Sequence, residues 1–91
     1  MREDSVHEVV WDEHNLEHLL VDNADRGITP DDVEAVLLDP GTAVDPLPAG
    51  HDLYTGRAKG RPLVVIAMGD REVYPLTAYW VSEERWRKAH E

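Results

Sequence analysis

The densest group of side chains that could bind phosphate lies in the second half of the chain. Arg57, Lys59 and Arg61 supply three positive charges within five residues, and Tyr54 precedes them with an aromatic ring. Cations on a strand-turn-strand segment can hold a phosphate backbone while an aromatic ring stacks on a base. The same residues are also typical of a charged hairpin tip, where Lys and Arg prevent aggregation. The pattern therefore leaves an RNA-binding hairpin and an ordinary solvated turn as alternatives.

A second pattern, His14-Asn15-Leu16-Glu17-His18, has the H-x-x-E-H spacing of the inverted zinc metallopeptidases. On a helix the two imidazoles share one face, which is opposite to Leu16 and therefore faces water. These enzymes also need a third protein ligand and a cleft built by a larger chain. We interpret both histidines as surface residues and expect no metal or other cofactor. A zinc-dependent hydrolase is the least supported alternative.

Charge is distributed unevenly along the 91 residues, which carry a net charge of −10. Residues 1–50 contain two basic and thirteen acidic residues, a net charge of −11, and residues 51–91 contain seven basic and six acidic residues, a net charge of +1. Phosphate binding depends on Lys and Arg, so this composition excludes a protein that coats nucleic acid with its whole surface. Any contact with RNA is expected in the second half.

Length and composition indicate one domain over residues 1–91, with a single core. The absence of cysteine from the sequence excludes disulfides and a thiol nucleophile. The longest apolar run, residues 63–68, is far shorter than the roughly 20 residues of a membrane-spanning helix. Residues 1–5 lack the basic and apolar segments of a secretory signal. We therefore expect a soluble cytoplasmic protein without membrane contact.

The first half is predicted to contain a short strand at 7–11 and two helices. An amphipathic helix starts at Glu13 and ends at Gly27. Its apolar stripe consists of Leu16, Leu19, Leu20 and Ala24. Thr29 caps the second helix, with Pro30 at its first position. The loop that follows has room for one short edge strand, around residues 42–44.

The second half is predicted to be a β-meander with strands at 51–58, 62–68 and 72–81, followed by a short helix that starts at Ser82. Both alternating sets of side chains in the 63–68 run are apolar, so this strand is expected to be central and covered on both faces. The predicted fold is therefore α+β in the order β-α-α-β-β-β-α, with an antiparallel sheet packed on helices.

The last predicted strand has a better core face and a more polar one. The better core face consists of Tyr74, Leu76, Ala78 and Trp80. Thr77 and Tyr79 are therefore expected on the opposite face. Pro75 cannot donate to a β-ladder, which predicts an edge position or a bulge at that residue.

Six short segments of the chain form a further pattern: Val10-Trp11-Asp12-Glu13, Gly27-Ile28, Asp39-Pro40, Tyr54-Thr55-Gly56-Arg57, Gly60-Arg61-Pro62-Leu63-Val64-Val65 and Leu76-Thr77-Ala78. Together these segments resemble the BrnT-like toxins of the RelE/ParE superfamily. The resemblance implies a small RelE-like domain and a metal-independent ribonuclease that cleaves RNA by attack of the ribose 2′-OH. It also implies a bacterial type II toxin–antitoxin system, in which the partner is a cognate antitoxin encoded beside the toxin.

The resemblance implies site residues as well. Arg57 and Arg61 would be phosphate clamps, Tyr79 stands where the family has its last-strand arginine, and His18 or His51 would be the general base. Cleavage needs that base, an acid for the leaving oxygen and cations for the phosphate charge. Tyr79 can donate a proton, but it carries no fixed positive charge. The catalytic prediction is thus His18, His51, Arg57 and Tyr79, and the RNA-binding prediction is Tyr54, Arg57, Lys59 and Arg61.

The missing last-strand arginine and the charge of residues 1–50 support a second hypothesis. On this hypothesis the chain is a catalytically silent interaction module on the same fold, and its acidic helical face docks a basic protein. A homodimer formed through an edge strand is a further alternative. The expected partners are therefore RNA and the antitoxin on the first hypothesis, and a basic protein on the second.

Overall fold

The computed structural model describes residues 6–91. Residues 1–5, where the sequence predicts no secretory signal, lie outside the described residues. The elements in chain order are β1 (Glu8–Val9), α1 (Glu13–Glu17), α2 (Pro30–Leu38), β2 (Ala43–Pro46), β3 (His51–Ala58), β4 (Arg61–Gly69), β5 (Glu72–Trp80) and α3 (Glu83–Ala89). A π-helical turn (His18–Asp22) and a 3₁₀ turn (Ala24–Arg26) follow α1. Among residues 6–91, no helix is long and apolar enough to cross a membrane.

The strands form one mixed sheet in the order β1-β5-β4-β3-β2. Neighbours from β2 to β5 pair antiparallel, whereas β1 pairs parallel with β5, so that Glu8 lies beside Glu72. The predicted α+β class is confirmed. The prediction of an antiparallel sheet is wrong at β1, because the chain enters the sheet in the same direction as its last strand. The strand β2 occupies the place where one short edge strand was expected, and the RelE-like topology stays a prediction.

The β3–β4 hairpin closes through a two-residue turn, Lys59 and Gly60. Lys59 and Gly60 both have positive φ, 53° and 74°, and the pair Ala58 and Arg61 flanks them. Positive φ at both central positions gives a turn whose twist matches that of the strands. The strand β4 then runs between β3 and β5 and is buried on both faces at Leu63, Val64 and Val65, which confirms its central position.

A β-bulge in β5 divides the strand into two parts with opposite orientation. The register shifts between Ile66 and Ala67, so β5 contains one extra residue between Pro75 and Thr77. An extra residue reverses the alternation of side chains along a strand. The predicted bulge at Pro75 is therefore confirmed. The predicted core face did not include the reversal of side chains that this bulge causes. The predicted core face is right for Ala78 and Trp80 after the bulge but wrong for Tyr74, since Val73 and Pro75 are the buried residues before it.

The main core lies between α2 and one face of the sheet. Its buried side chains include Val33, Val36, Leu37, Tyr54, Ala58, Leu63, Val65, Ala67, Val73 and Ala78. The helix α3 contacts β3 and β4. By strand alternation, the opposite face carries Thr55, Val64, Thr77 and Tyr79, as was predicted for the last two.

The first turn of α2 is held by a capping box. The Thr29 hydroxyl accepts a hydrogen bond from the backbone N–H of Asp32 (3.2 Å), and the Asp32 carboxylate accepts one from the backbone N–H of Thr29 (3.0 Å). The Nζ atom of Lys59 lies 3.1 Å from the same carboxylate, which is buried. Burial raises the pKa of Asp32, but its hydrogen bonds with Thr29 and Lys59 outweigh this effect and leave the pKa below its ordinary value.

A lowered pKa at Asp32 predicts a contribution to stability that depends on pH. This contribution is fully present above 3.8, the ordinary pKa of the carboxyl group, and is lost as pH falls through the lower pKa of the folded state. We expect Asp32→Asn to lower the free energy of unfolding by about 1 kcal/mol at neutral pH and to flatten its decrease in acid. Urea denaturation over a pH series measures both. Asp31→Asn, in the same helical turn but exposed, should leave the acid profile unchanged, and an unchanged profile in Asp32→Asn would contradict the assignment.

Candidate functional site

The hairpin directs its three cations to three different parts of the fold. Arg57 contacts α3, Lys59 contacts the buried Asp32 of α2, and the Arg61 guanidinium lies 4.1 Å above the ring of Trp80. Strand alternation places Arg57 and Arg61 on opposite faces of the hairpin, so the two side chains do not point toward a common ligand. The predicted RNA-binding cations are thus close in sequence, but they do not converge on a single phosphate site.

Arg57 is held by two contacts with α3. Its Nη1 and Nη2 atoms donate to the two carboxylate oxygens of Glu83 at 2.8 and 2.7 Å, and its guanidinium lies 4.2 Å from the ring centre of Trp86. The hydrogen bonds with Glu83 raise the pKa of Arg57, and the same bonds hold the pKa of Glu83 below its ordinary value. Both groups therefore stay ionised and paired. A phosphate could reach Arg57 only in competition with Glu83.

The short helix α3 owes its position to local signals in the sequence. The Ser82 hydroxyl accepts a hydrogen bond from the backbone N–H of Arg85 (3.1 Å) and so caps the helix, and the ring of Trp86 stacks on His90 at 4.1 Å. The guanidinium of Arg85 lies 5.8 Å from the ring centre of Tyr79. Because Arg57 and Tyr79 belong to the same face of the sheet, α3 reaches both predicted residues: it places Glu83 and Trp86 against Arg57, and Arg85 near Tyr79.

A cleft of about 600 Å³ separates α3 from β2 and β3. It is lined by Asp45, Leu53, Thr55, Ser82, Glu84, Arg85, Lys88 and Ala89. The two acidic and two basic side chains in this lining balance each other. Neither Arg57 nor Tyr79 lines the cleft, so it does not extend the predicted catalytic site.

The structure corrects the predicted stacking role of Tyr54. Its side chain is 1% exposed and belongs to the core between the sheet and α2. Tyr54 and Arg57 are three positions apart on one strand, so alternation places them on opposite faces. A base cannot stack on a ring that the fold buries, and Tyr54 therefore serves the core.

The two predicted general bases lie apart from Arg57. His51 begins β3 beside Met68, and six residues of extended strand place it about 20 Å from Arg57. His18 lies in the π-helical turn, where its Nε2 atom is 3.2 Å from Nδ2 of Asn23. It lines a small cavity with Pro75 and other residues of β5. Of the four predicted catalytic residues, the structure therefore brings only Arg57 and Tyr79 to one region.

The helices of the first half carry a large excess of carboxylates over cations. Residues 6–50, called the acidic half below, contain eleven carboxylates and a single cation, Arg26. That cation is turned inward, since its Nη1 atom donates to the carbonyl of Ala78 at 2.8 Å and to the Thr77 hydroxyl at 3.3 Å. The charge count indicated this excess, but it did not show that Arg26 is turned inward.

The first turn of α1 concentrates part of this charge. Asp12, Glu13, His14 and Glu17 line a hollow of about 360 Å³. Asp12 keeps a pKa below its ordinary value, because it accepts a hydrogen bond from the backbone of Asn15 and another from the Tyr74 hydroxyl (2.9 Å), and these outweigh its desolvation. The hollow is therefore negatively charged at neutral pH.

The π-helical turn after α1 exposes two large apolar residues. Leu20 is 47% exposed and Val21 is 66% exposed. The backbone N–H of Asn23 donates to the carbonyl of His18 five residues earlier (3.1 Å), so the turn that contains Leu20 and Val21 is wider than an α-helical turn and departs from the α-helical stripe. The prediction that Leu20 belongs to the buried stripe is wrong for this reason.

Comparisons with protein-family models, with curated proteins and with solved structures find no match to this chain. Within residues 6–91, no three His, Cys, Asp or Glu side chains are grouped so that they could hold a metal ion.

The structure leaves two candidate sites. One is the face of Arg57 and Tyr79 beneath α3, and the other is the acidic half with its exposed apolar turn.

Proposed function

We propose that this chain is a toxin-like protein-binding module on a RelE-like scaffold, and that its acidic half docks a basic protein. The observation that carries the proposal is the distribution of charge partners. Arg57 and Lys59 are paired with Glu83 and Asp32, whereas the acidic half has ten carboxylates besides Asp32 and a single, inward-turned cation, Arg26. A surface of one sign attracts a partner of the opposite sign and speeds its association.

The partner that the resemblance implies is a cognate antitoxin encoded beside this chain. Its binding surface should be basic, because the carboxylates of the acidic half need an opposite charge to offset their mutual repulsion. Attraction between exposed charges is screened by salt over about 8 Å at physiological ionic strength. The complex should therefore form quickly at low salt and weaken as salt is added.

Affinity capture from the native host tests this proposal. The tagged chain should retain a basic protein without RNA, and added salt should release it. A Glu17→Lys/Asp25→Lys variant should retain less of it, whereas a Glu84→Lys/Glu91→Lys variant, with the same change of charge on the opposite half, should retain as much as the wild type. Retention of RNA, or a complex that only the second variant weakens, would count against the proposal.

The second candidate function is RNA cleavage by attack of the ribose 2′-OH. It is favoured by the position of Arg57 and Tyr79 on one face of the sheet, with Arg85 beside Tyr79. On this hypothesis Tyr79 donates the proton to the leaving oxygen, and the two guanidinium groups stabilise the charge that develops on phosphate. His51 lies toward the far end of the same face, and His18 lies outside it. The general base therefore has no support from the geometry.

The contact between Arg57 and Glu83 gives a direct test of this second candidate. Glu83→Gln removes the carboxylate that competes with phosphate, so we expect it to raise RNA affinity about threefold, while Glu84→Gln, one residue along the same helix, leaves it unchanged. Fluorescence anisotropy with a labelled single-stranded RNA measures both affinities. Induction in a bacterial host should arrest growth and degrade RNA in the wild type but not in Arg57→Ala. Intact RNA and normal growth with folded wild-type protein would exclude the ribonuclease.

A further inference from the structure

The acidic half contains an apolar surface that no described element covers. We call Leu20 and Val21, together with the flanking carboxylates Glu17 and Asp22, the helical docking surface. Glu17 lies one helical turn before Val21, and Asp22 directly follows Val21. An exposed apolar centre with a charged rim is the usual anatomy of a protein-binding surface. Leu20 and Val21 are the two most exposed of the large apolar residues in residues 6–91.

The charges around this surface decide what kind of molecule fits it. In a two-fold homodimer the same patch would meet itself, so Glu17 and Asp22 would approach their own copies in chains that each carry a net charge of −10. Nucleic acid and anionic lipid are repelled by the same carboxylates. A basic protein segment is the occupant that complements both the apolar centre and the rim.

We propose that the helical docking surface binds one segment of a basic partner protein, which places an apolar side chain on Leu20 and Val21 and Lys or Arg side chains against the flanking carboxylates. A cation of the same segment can extend along α1 to the hollow of Asp12, Glu13 and Glu17. The inference rests on the proposed docking function and adds its location and the chemistry of the partner. Apolar contacts at the centre supply most of the affinity, while the rim supplies speed and selectivity.

The test uses the full chain and a set of short synthetic peptides rich in Lys and Arg, each with a pair of Leu at a different position. A matched set carries Ser in place of Leu. Backbone amide shifts, followed by NMR during titration at low salt, should change mainly over residues 13–25. The best Leu-containing peptide should bind about tenfold more tightly than its Ser counterpart.

Variants separate this inference from the proposed function. Val21→Ser should weaken the best peptide about fivefold, and Met68→Ser, an exposed apolar residue on the sheet (43%), should leave its affinity unchanged. Both changes are at exposed positions, and circular dichroism checks that each variant is folded. Salt-sensitive binding that maps elsewhere, or that Val21→Ser does not weaken, overturns the inference and leaves the docking function standing. Absence of binding by every basic peptide at low salt overturns both.

Discussion

Replacing Asn15 by Ala is expected to lower the free energy of unfolding by roughly 3 kcal/mol at neutral pH. The Asn15 side chain is 4% exposed, and its Nδ2 atom donates to the carbonyls of Val10 (3.0 Å) and Pro75 (3.2 Å). Its Oδ1 atom also accepts from the backbone N–H of Asp12 at 2.8 Å. Alanine would leave these groups without their partner in a region that excludes water. Urea denaturation monitored by tryptophan fluorescence measures the loss.

Asn23→Ala is the matched control for this prediction. The Asn23 amide contacts only His18, through the carbonyl (2.8 Å) and the imidazole, at a partly exposed position, so its removal should cost less than about 1 kcal/mol. Because Asn15 fixes α1 to β5 at the bulge, its replacement should also speed hydrogen exchange in α1 and weaken peptide binding at the helical docking surface. Equal losses of stability in the two variants would show that the Asn15 hydrogen bonds are not the anchor of α1.

Gly69→Ala is expected to destabilise the protein by about 3 kcal/mol or more. Gly69 ends β4 with φ at +107°, a conformation that side chains disfavour. A Cβ atom there would collide with the backbone carbonyl oxygen of Glu72. Backbone cannot rotate away as a flexible side chain can, so the turn between β4 and β5 would have to open. Thermal or urea denaturation at neutral pH measures the effect.

Gly60→Ala separates the collision from the backbone conformation. Gly60 also has a positive φ, +74°, but a Cβ atom there would meet no atom within 4 Å. Only the conformational penalty then applies, which is about 1 kcal/mol. If both alanine variants lost the same stability, the turn at Gly69 would have relaxed and the predicted collision would be disproved.

Features of the fold that depend on neighbouring residues were predictable from the sequence. Thr29 and Pro30 mark the start of α2, because a capping side chain acts within its own helical turn. Lys59 and Gly60 mark the hairpin for a similar reason, and Pro75 marks the bulge because it lacks the N–H that a ladder requires. Each of these signals is complete within a few residues of chain.

The candidate site was less predictable, because its contacts join residues that are distant in the sequence. Arg57 is paired with Glu83, 26 residues away, and nothing near Arg57 indicates that its charge is already matched. The orientation of Tyr54 depends on which face of the sheet α2 covers, and alternation within β3 cannot decide this. The π-helical turn that contains Leu20 likewise follows from a backbone hydrogen bond that the residue types do not specify.

The parallel pairing of β1 with β5 sets an order of events for folding. Glu8 lies beside Glu72, and 72 minus 8 is 64 residues, so the first strand can join the sheet only after β5 has been synthesised. The hairpins from β3 to β5 close much shorter loops and should form first, since loop closure becomes less favourable with length. We therefore expect the meander to be the folding nucleus and the docking of β1 to be a late step. A newly made chain would present its acidic helices to other proteins before its sheet is complete.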